Sequence, residues 1–214
     1  MFKAVLFDFD GVVVRSEELH MRTFLQLLEP YGVDVPKERW YREFAGTGSR
    51  HIFEVLIREN GIPLDPSELV ARRKKIYEDA VRGGALSEMP GVRAFLSSLK
   101  EKGIPAAIVS GSHRTNVELA LAVLGLGGFF SLIISGDDVP ERKPDPGPYL
   151  AAARKLGLVP GDCLVIEDSR SGMMAAKAAG MRLVCVFSHP SVDTATCDIT
   201  IEDFDGLDRK LERL

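Results

Sequence analysis

The chain predicts a three-layer α/β/α core with a parallel sheet, interrupted by an inserted four-helix domain. Three observations carry that prediction. Six short, β-rich apolar runs punctuate the 214 residues. Helical patterns closed by glycine separate the later runs. The stretch 16–87 holds no strand pattern at all.

The first run, Ala4-Val5-Leu6-Phe7, is too short for a helix and is followed by Asp8-Phe9-Asp10-Gly11, so it reads as a buried strand with two aspartates at its carboxyl end. Asp8 and Asp10 would point to opposite sides of a regular strand. The chain must therefore bend at Asp10-Gly11 for both to share a site. Helices are then expected through the insertion. The first carries Leu19, Phe24, Leu27, Leu28 and Tyr31 and stops at Gly32, and a short one surrounds Trp40, Tyr41 and Phe44. A third holds Ile52, Phe53, Leu56 and Ile57 and stops at Gly61. The last runs over 66–81, with Leu69, Val70, Arg73, Tyr77 and Ala80 along one face.

Beyond the insertion, helical patterns at 91–102, 115–124, 148–156 and 171–179 alternate with apolar runs at 106–109, 132–134, 164–166, 183–186 and 199–201. Strands separated by such helices make a parallel sheet covered on both faces. The domains are thus 1–15 with 88–214 as the α/β core, and 16–87 as a helical cap. Its linkers lie close to the aspartates, so the cap is expected to act as a lid.

Twenty-seven Lys and Arg against 31 Asp and Glu give a net charge of −4, with no basic block, which argues against nucleic acid or an anionic membrane as partner. No apolar stretch approaches the ~20 residues of a bilayer span. The N-terminus enters a strand without a signal-like segment, so a cytoplasmic protein is expected, as a monomer or weak dimer. Cys163, Cys185 and Cys197 lack metal-ligand spacing and lie in or beside strands, and are read as buried thiols of a reducing compartment.

Ligands of open α/β sheets bind outside the carboxyl ends of the strands. Those ends here are polar throughout. Ser110-Gly111-Ser112 follows the second strand and offers a hydroxyl and turn N–H groups to an anion. Lys143-Pro144 follows the third, and Glu167-Asp168-Ser169 the fourth. Each has a structural alternative: solvated turn aspartates, a helix cap at Ser110, a surface Lys143, first-turn acids at Glu167 and Asp168. Together they supply what phosphoryl transfer needs, namely a nucleophile, carboxylates for Mg²⁺, and donors for phosphoryl oxygens. Asp8 and Asp168 suit the cation, and Ser110 and Lys143 the phosphoryl oxygens.

In this order the residues resemble the four motifs of the haloacid dehalogenase superfamily, mostly Mg²⁺-dependent phosphatases. They are Asp8-Phe9-Asp10-Gly11-Val12, then Ser110, then Lys143 with Pro144, then Glu167-Asp168 with Gly172. The resemblance implies a Rossmann-like core and a cap similar to that of the group containing phosphoglycolate phosphatase and β-phosphoglucomutase. It implies that Asp8 attacks phosphorus to form an aspartyl phosphate. Asp10 would protonate the leaving oxygen, then activate water, its backbone carbonyl binding Mg²⁺. Ser110 and Lys143 would hold the phosphoryl group, Asp168 would ligate the metal, and Glu167 would do so directly or through water. The second aspartate separates phosphate transfer from dehalogenation.

The expected activity is hydrolysis of a small phosphorylated metabolite, such as a sugar phosphate or phosphoglycolate. Two alternatives stand beside it: a phosphosugar mutase of the β-phosphoglucomutase type, and a receiver-like phospho-acceptor domain. Ala45 stands where the mutase pattern has a lysine before glycine, and a receiver has no helical insertion after its first strand. Substrate contacts are expected from His20, which matches a cap histidine of the mutase-like members, and from Arg50 after the Gly46-Thr47-Gly48 loop. His20 is equally readable as a partly exposed helix histidine. Arg73 or Lys74 and His113 are further candidates.

Overall fold

The computed structural model describes residues 2–187 and 193–212. The chain divides into two compact units, one of residues 1–15 with 87–214 and one of residues 16–86. The smaller holds α1 (Glu17–Leu28), the helical turn α2 (Lys37–Arg39), α3 (Ser49–Asn60) and α4 (Pro66–Arg82). The larger holds α5 (Val92–Glu101), α6 (Arg114–Leu124), α7 (Gly147–Lys155), α8 (Arg170–Ala178) and the short α9 (Leu207–Leu211). Its strands are β1 (Ala4–Phe7), β2 (Ala106–Val109), β3 (Phe130–Ile134), β4 (Cys163–Glu167), β5 (Arg182–Val186) and β6 (Ile199–Ile201).

All six strands are parallel, in the order β3-β2-β1-β4-β5-β6. The order reverses at β1, which makes a crevice at its carboxyl end. Every residue of β1 is fully buried. Ala4 and Leu6 join a core with Tyr149, Ala152, Val165, Met173 and Ala176. Phe7 points the other way, its ring centroid 6.1 Å from Phe95, 5.8 Å from Phe130 and 6.2 Å from Phe204. Period-two alternation buried on both sides is what a sheet between two helical layers demands. The pairing Phe7↔Ile108 and Phe7↔Ile166 sets the register. One rung further, Asp8 stands level with Val109 and Glu167.

After β1 the chain turns at Gly11, whose φ of 78° favours glycine, and the N–H groups of Val13 and Val14 return to Phe9 O at 2.9 and 3.1 Å. The two ends of the insertion are then tied together. Val14 bridges Glu88, Arg15 N donates to Ser87 O at 2.9 Å, and Met89 N to Val13 O at 2.9 Å.

The helical unit has its own core. Phe24 packs on Phe53 and Trp40 with ring centroids 4.7 and 5.4 Å apart, among Leu28, Leu56 and Leu69. Residues Trp40–Phe44, expected as an ordinary short helix, form a wider π-turn that ends as Ala45 N reaches Trp40 O. The Trp40 indole N–H donates to Glu17.

The sequence reading of the cysteines needs correction. Cys185 and Cys197 form a disulfide, with Cα atoms 5.9 Å apart, and only Cys163 is free. The reason is topological: β6 pairs with β5 through Cys185↔Thr200, so the chain entering β6 passes beside Cys185. Spacing along the sequence does not reveal that return. Several boundaries also differ by a residue or two, and one element is new. β3 starts at Phe130 because Phe130 pairs with Ala106 ahead of a register shift, and α9 was not anticipated, its five residues burying Leu207 and Leu211. No helix among the described residues is long and apolar enough to cross a membrane.

Phe7 is wholly buried at the centre of the sheet, so Phe7→Ala should lower the unfolding free energy by about 3–5 kcal/mol in urea titrations.

Candidate active site

The carboxyl ends of β1, β2 and β4, and the loop between β3 and α7, bring four charged groups together. Lys143 extends from that loop with its side chain one-tenth exposed. Its ammonium donates to Asp8 Oδ1 at 2.7 Å, Glu167 Oε1 at 2.6 Å and Val109 O at 2.9 Å. Three N–H groups meet three acceptors, so the lysine is saturated by the protein.

Glu167 ends β4 with no exposed surface. Its Oε1 accepts from Lys143 and from Tyr149 Oη at 2.8 Å, and its Oε2 from Asp168 N, Ser169 N and Ser169 Oγ, each at 3.0 Å. Ser169 also caps α8 by accepting from Gly172 N at 3.1 Å. Gly172 is required for contact rather than for conformation: a Cβ there would coincide with the Glu167 carboxylate. Gly11 is required for both, since a Cβ would strike the Asp168 carboxylate.

Asp8, Glu167 and Asp168 each place a carboxylate oxygen within 4.8 Å of the others. Burial, with Glu167 alongside, pushes the Asp8 carboxyl up to about 7 against the pull of Lys143. Burial would raise Glu167 as well, but Lys143 and the donors around it hold it below the usual carboxylate range. Burial opposes the charge of Lys143, yet Asp8 and Glu167 keep its pKa above that of a free lysine. Three carboxylates converge here, two of them on the Lys143 ammonium. An all-oxygen donor set of that kind fits a hard divalent cation.

The other residues singled out from the sequence fall into two groups. Asp10 is not in the carboxylate triad; its Oδ2 accepts from Ser112 Oγ at 2.6 Å. Ser110 accepts from Ser112 N at 3.0 Å, and Gly111 O lies so close to Gly136 that a Cβ on Gly136 would collide with it. So Ser110, Gly111 and Ser112 form one tight turn at the end of β2. His20 and Arg50 belong to the helical unit. His20 Nδ1 lies 2.6 Å from Arg73 Nη2, and its ring stacks on Tyr77. Arg73 also donates to Thr23 Oγ1 at 3.1 Å and Ser49 Oγ at 2.8 Å, over the Phe24 ring. Arg50 pairs with Glu54 at 2.8 Å and reaches Ser67 Oγ at 3.3 Å, on the exposed surface of that unit.

Tyr149 escaped the sequence reading, where 148–156 figured only as a helix. It is fully buried, and burial beside Glu167 raises its pKa well above the usual tyrosine value, which keeps the hydroxyl a donor. The available signal was one hydroxyl on a helix face otherwise made of Ala152, Ala153 and Leu156, because a buried tyrosine O–H needs a partner.

A family model described as haloacid dehalogenase-like hydrolase matches residues 5–186. Protein CbbY of Cereibacter sphaeroides is 34% identical, over 99% of this chain and 92% of its own length. Fructose-1-phosphate phosphatase YqaB of Escherichia coli is 32% identical, over 86% of this chain and 96% of its own. The solved structure of a CbbY mutant from Rhodobacter sphaeroides in complex with xylulose-(1,5)bisphosphate superposes with a TM-score of 0.85 at 27% identity, covering 97% of this chain and 96% of that one.

Gly172→Ala must displace the Glu167 carboxylate from its donors. It should lower stability by about 3 kcal/mol or more in denaturant titrations, whereas Gly161→Ala, with open space at its Cβ, should stay within about 0.5 kcal/mol of the parent.

Proposed function

This chain belongs to the haloacid dehalogenase-like hydrolase family and is a phosphoric monoester hydrolase, and we propose that it cleaves a small sugar phosphate through a covalent intermediate on Asp8. The observation that carries this reading is the buried Asp8 carboxylate at the switch point of the sheet, bonded to Lys143 and flanked by Glu167 and Asp168. The names of the relatives, a fructose-1-phosphate phosphatase and a protein captured with xylulose-(1,5)bisphosphate, support a sugar phosphate as substrate.

In the proposed reaction an Asp8 oxygen attacks phosphorus, the ester P–O bond breaks, and Asp10 gives its proton to the departing sugar oxygen. Ser112, which donates to Asp10 Oδ2, sets the direction of that carboxyl. Water then attacks the acyl phosphate. Asp10 takes a proton from it, inorganic phosphate leaves, and Asp8 is restored. Lys143 and the Ser110-Gly111-Ser112 turn bind the phosphoryl oxygens, and the ammonium lessens the repulsion between Asp8 and a dianionic substrate. Asp8 and Asp168, with the Asp10 carbonyl, would hold a divalent cation such as Mg²⁺ and Glu167 would lie beside it; when bound, the cation neutralises charge on the phosphoryl group.

A panel of phosphorylated metabolites should show release of inorganic phosphate that stops on exhaustive chelation and returns with Mg²⁺. Activity that survives chelation would exclude the cation. Asp8→Asn should reduce kcat by more than about 10³-fold, and a variant keeping a tenth of the parent rate would remove Asp8 as nucleophile. Interconversion of sugar phosphates without phosphate release would instead favour a mutase.

A further inference from the structure

We propose that Tyr149 is a positioning residue for Lys143: its hydroxyl keeps Glu167 Oε1 satisfied when the Lys143 ammonium turns from that oxygen to a phosphoryl oxygen. The inference rests on the phosphoryl-transfer reading above and adds a residue that reading does not use.

It starts from the saturation of Lys143. Asp8 Oδ1, Glu167 Oε1 and Val109 O occupy all three of its N–H groups. A phosphoryl oxygen can gain one only if a protein acceptor gives one up. A buried acceptor left without a donor bears the full desolvation penalty, so the exchange falls where a second donor is already in place. Glu167 Oε1 is that acceptor. Tyr149 Oη donates to it at 2.8 Å, and the other carboxylate oxygen is held by the Asp168 and Ser169 N–H groups and the Ser169 hydroxyl.

Tyr149 is also built to stay where it is. It sits in the first turn of α7, fully buried, in the core with Leu6, Val165 and Met173. Its ring centroid lies 4.8 Å from Lys143 Nζ, so the ammonium rests against an aromatic face that favours its charge without taking one of its hydrogens. The ring steers the cation and the hydroxyl holds the carboxylate. Without the hydroxyl, Lys143 would be the only donor to Glu167 Oε1 among the described residues and would be retained there.

Tyr149→Phe isolates the hydroxyl, because it keeps the ring and its packing. Inorganic phosphate is titrated calorimetrically into the parent and the variant in Mg²⁺ buffer, and KM and kcat are measured in parallel. The expected result is a melting temperature near that of the parent, with phosphate Kd and substrate KM both raised about tenfold, the equivalent of one charge-assisted hydrogen bond, and kcat within about twofold. In a Lys143→Met background, the same substitution should not weaken phosphate binding further, since the effect runs through the lysine. Unchanged phosphate affinity in Tyr149→Phe would overturn the proposal. So would an equal loss with and without Lys143, or a fall in kcat at constant KM. If the parent releases no phosphate from any monoester yet binds phosphate, and Tyr149→Phe weakens that binding only while Lys143 is present, the hydrolase reading fails and the role of Tyr149 stands.

Discussion

The ammonium of Lys143, held between the carboxylates of Asp8 and Glu167, is the constraint around which the larger unit is organised. β1 and β4 are neighbours in the sheet; a buried acid follows the first and ends the second. Two carboxylates in such a place cannot both remain ionised without a cation, as the raised Asp8 pKa indicates even with one ammonium present. Lys143 allows adjacent strand ends to be acidic. The pieces nearby serve that arrangement: Gly172 leaves room for the Glu167 carboxylate, Ser169 caps α8 and donates to Glu167 at once, and the loop after β3 delivers the lysine.

The same economy of position fixes where Asp8, Glu167 and Tyr149 stand. Asp8 and Glu167 are the residue after a wholly buried strand and the last residue of another, and Tyr149 comes from a helix whose inner face is closely packed alanine. Groups set on packed strands and helices have few alternative positions, which suits chemistry that tolerates little misplacement. The turn at Ser110-Gly111-Ser112 owes its shape to contact as well, since Gly136 presses directly on Gly111.

How much of this was legible in the sequence depends on whether the determinant was local. The strands at 4–7, 106–109 and 199–201 emerge at their full length, because a short apolar run between turn residues needs no tertiary information. The charged groups brought together in the core were legible too, for Asp8, Glu167 and Asp168 end or follow recognisable strands and Lys143 lies in the loop after β3. Contacts between distant segments were not. The Cys185–Cys197 disulfide depends on the register of β6, and the Tyr149–Glu167 bond on the packing of α7 against β2 and β3. The bond from the Trp40 indole to Glu17 likewise joins segments far apart along the chain. Arg50 shows the converse: its position after a glycine loop suggests an anion, yet Glu54, one turn along the helix, is already its partner.

The way the helical unit is attached has an evolutionary side. Its two connecting strands are zipped to each other by the Val14–Glu88 bridge and the bonds from Arg15 to Ser87 and from Met89 to Val13. To the sheet, whatever lies between resembles a single hairpin loop. The entropy of closing such a loop grows only with the logarithm of its length, about 0.6 kcal/mol for each doubling. Lineages could therefore lengthen, shorten or exchange the intervening segment while the ends of β1 and β4 stayed undisturbed. Selection could vary the inserted unit while leaving the strand ends as they are.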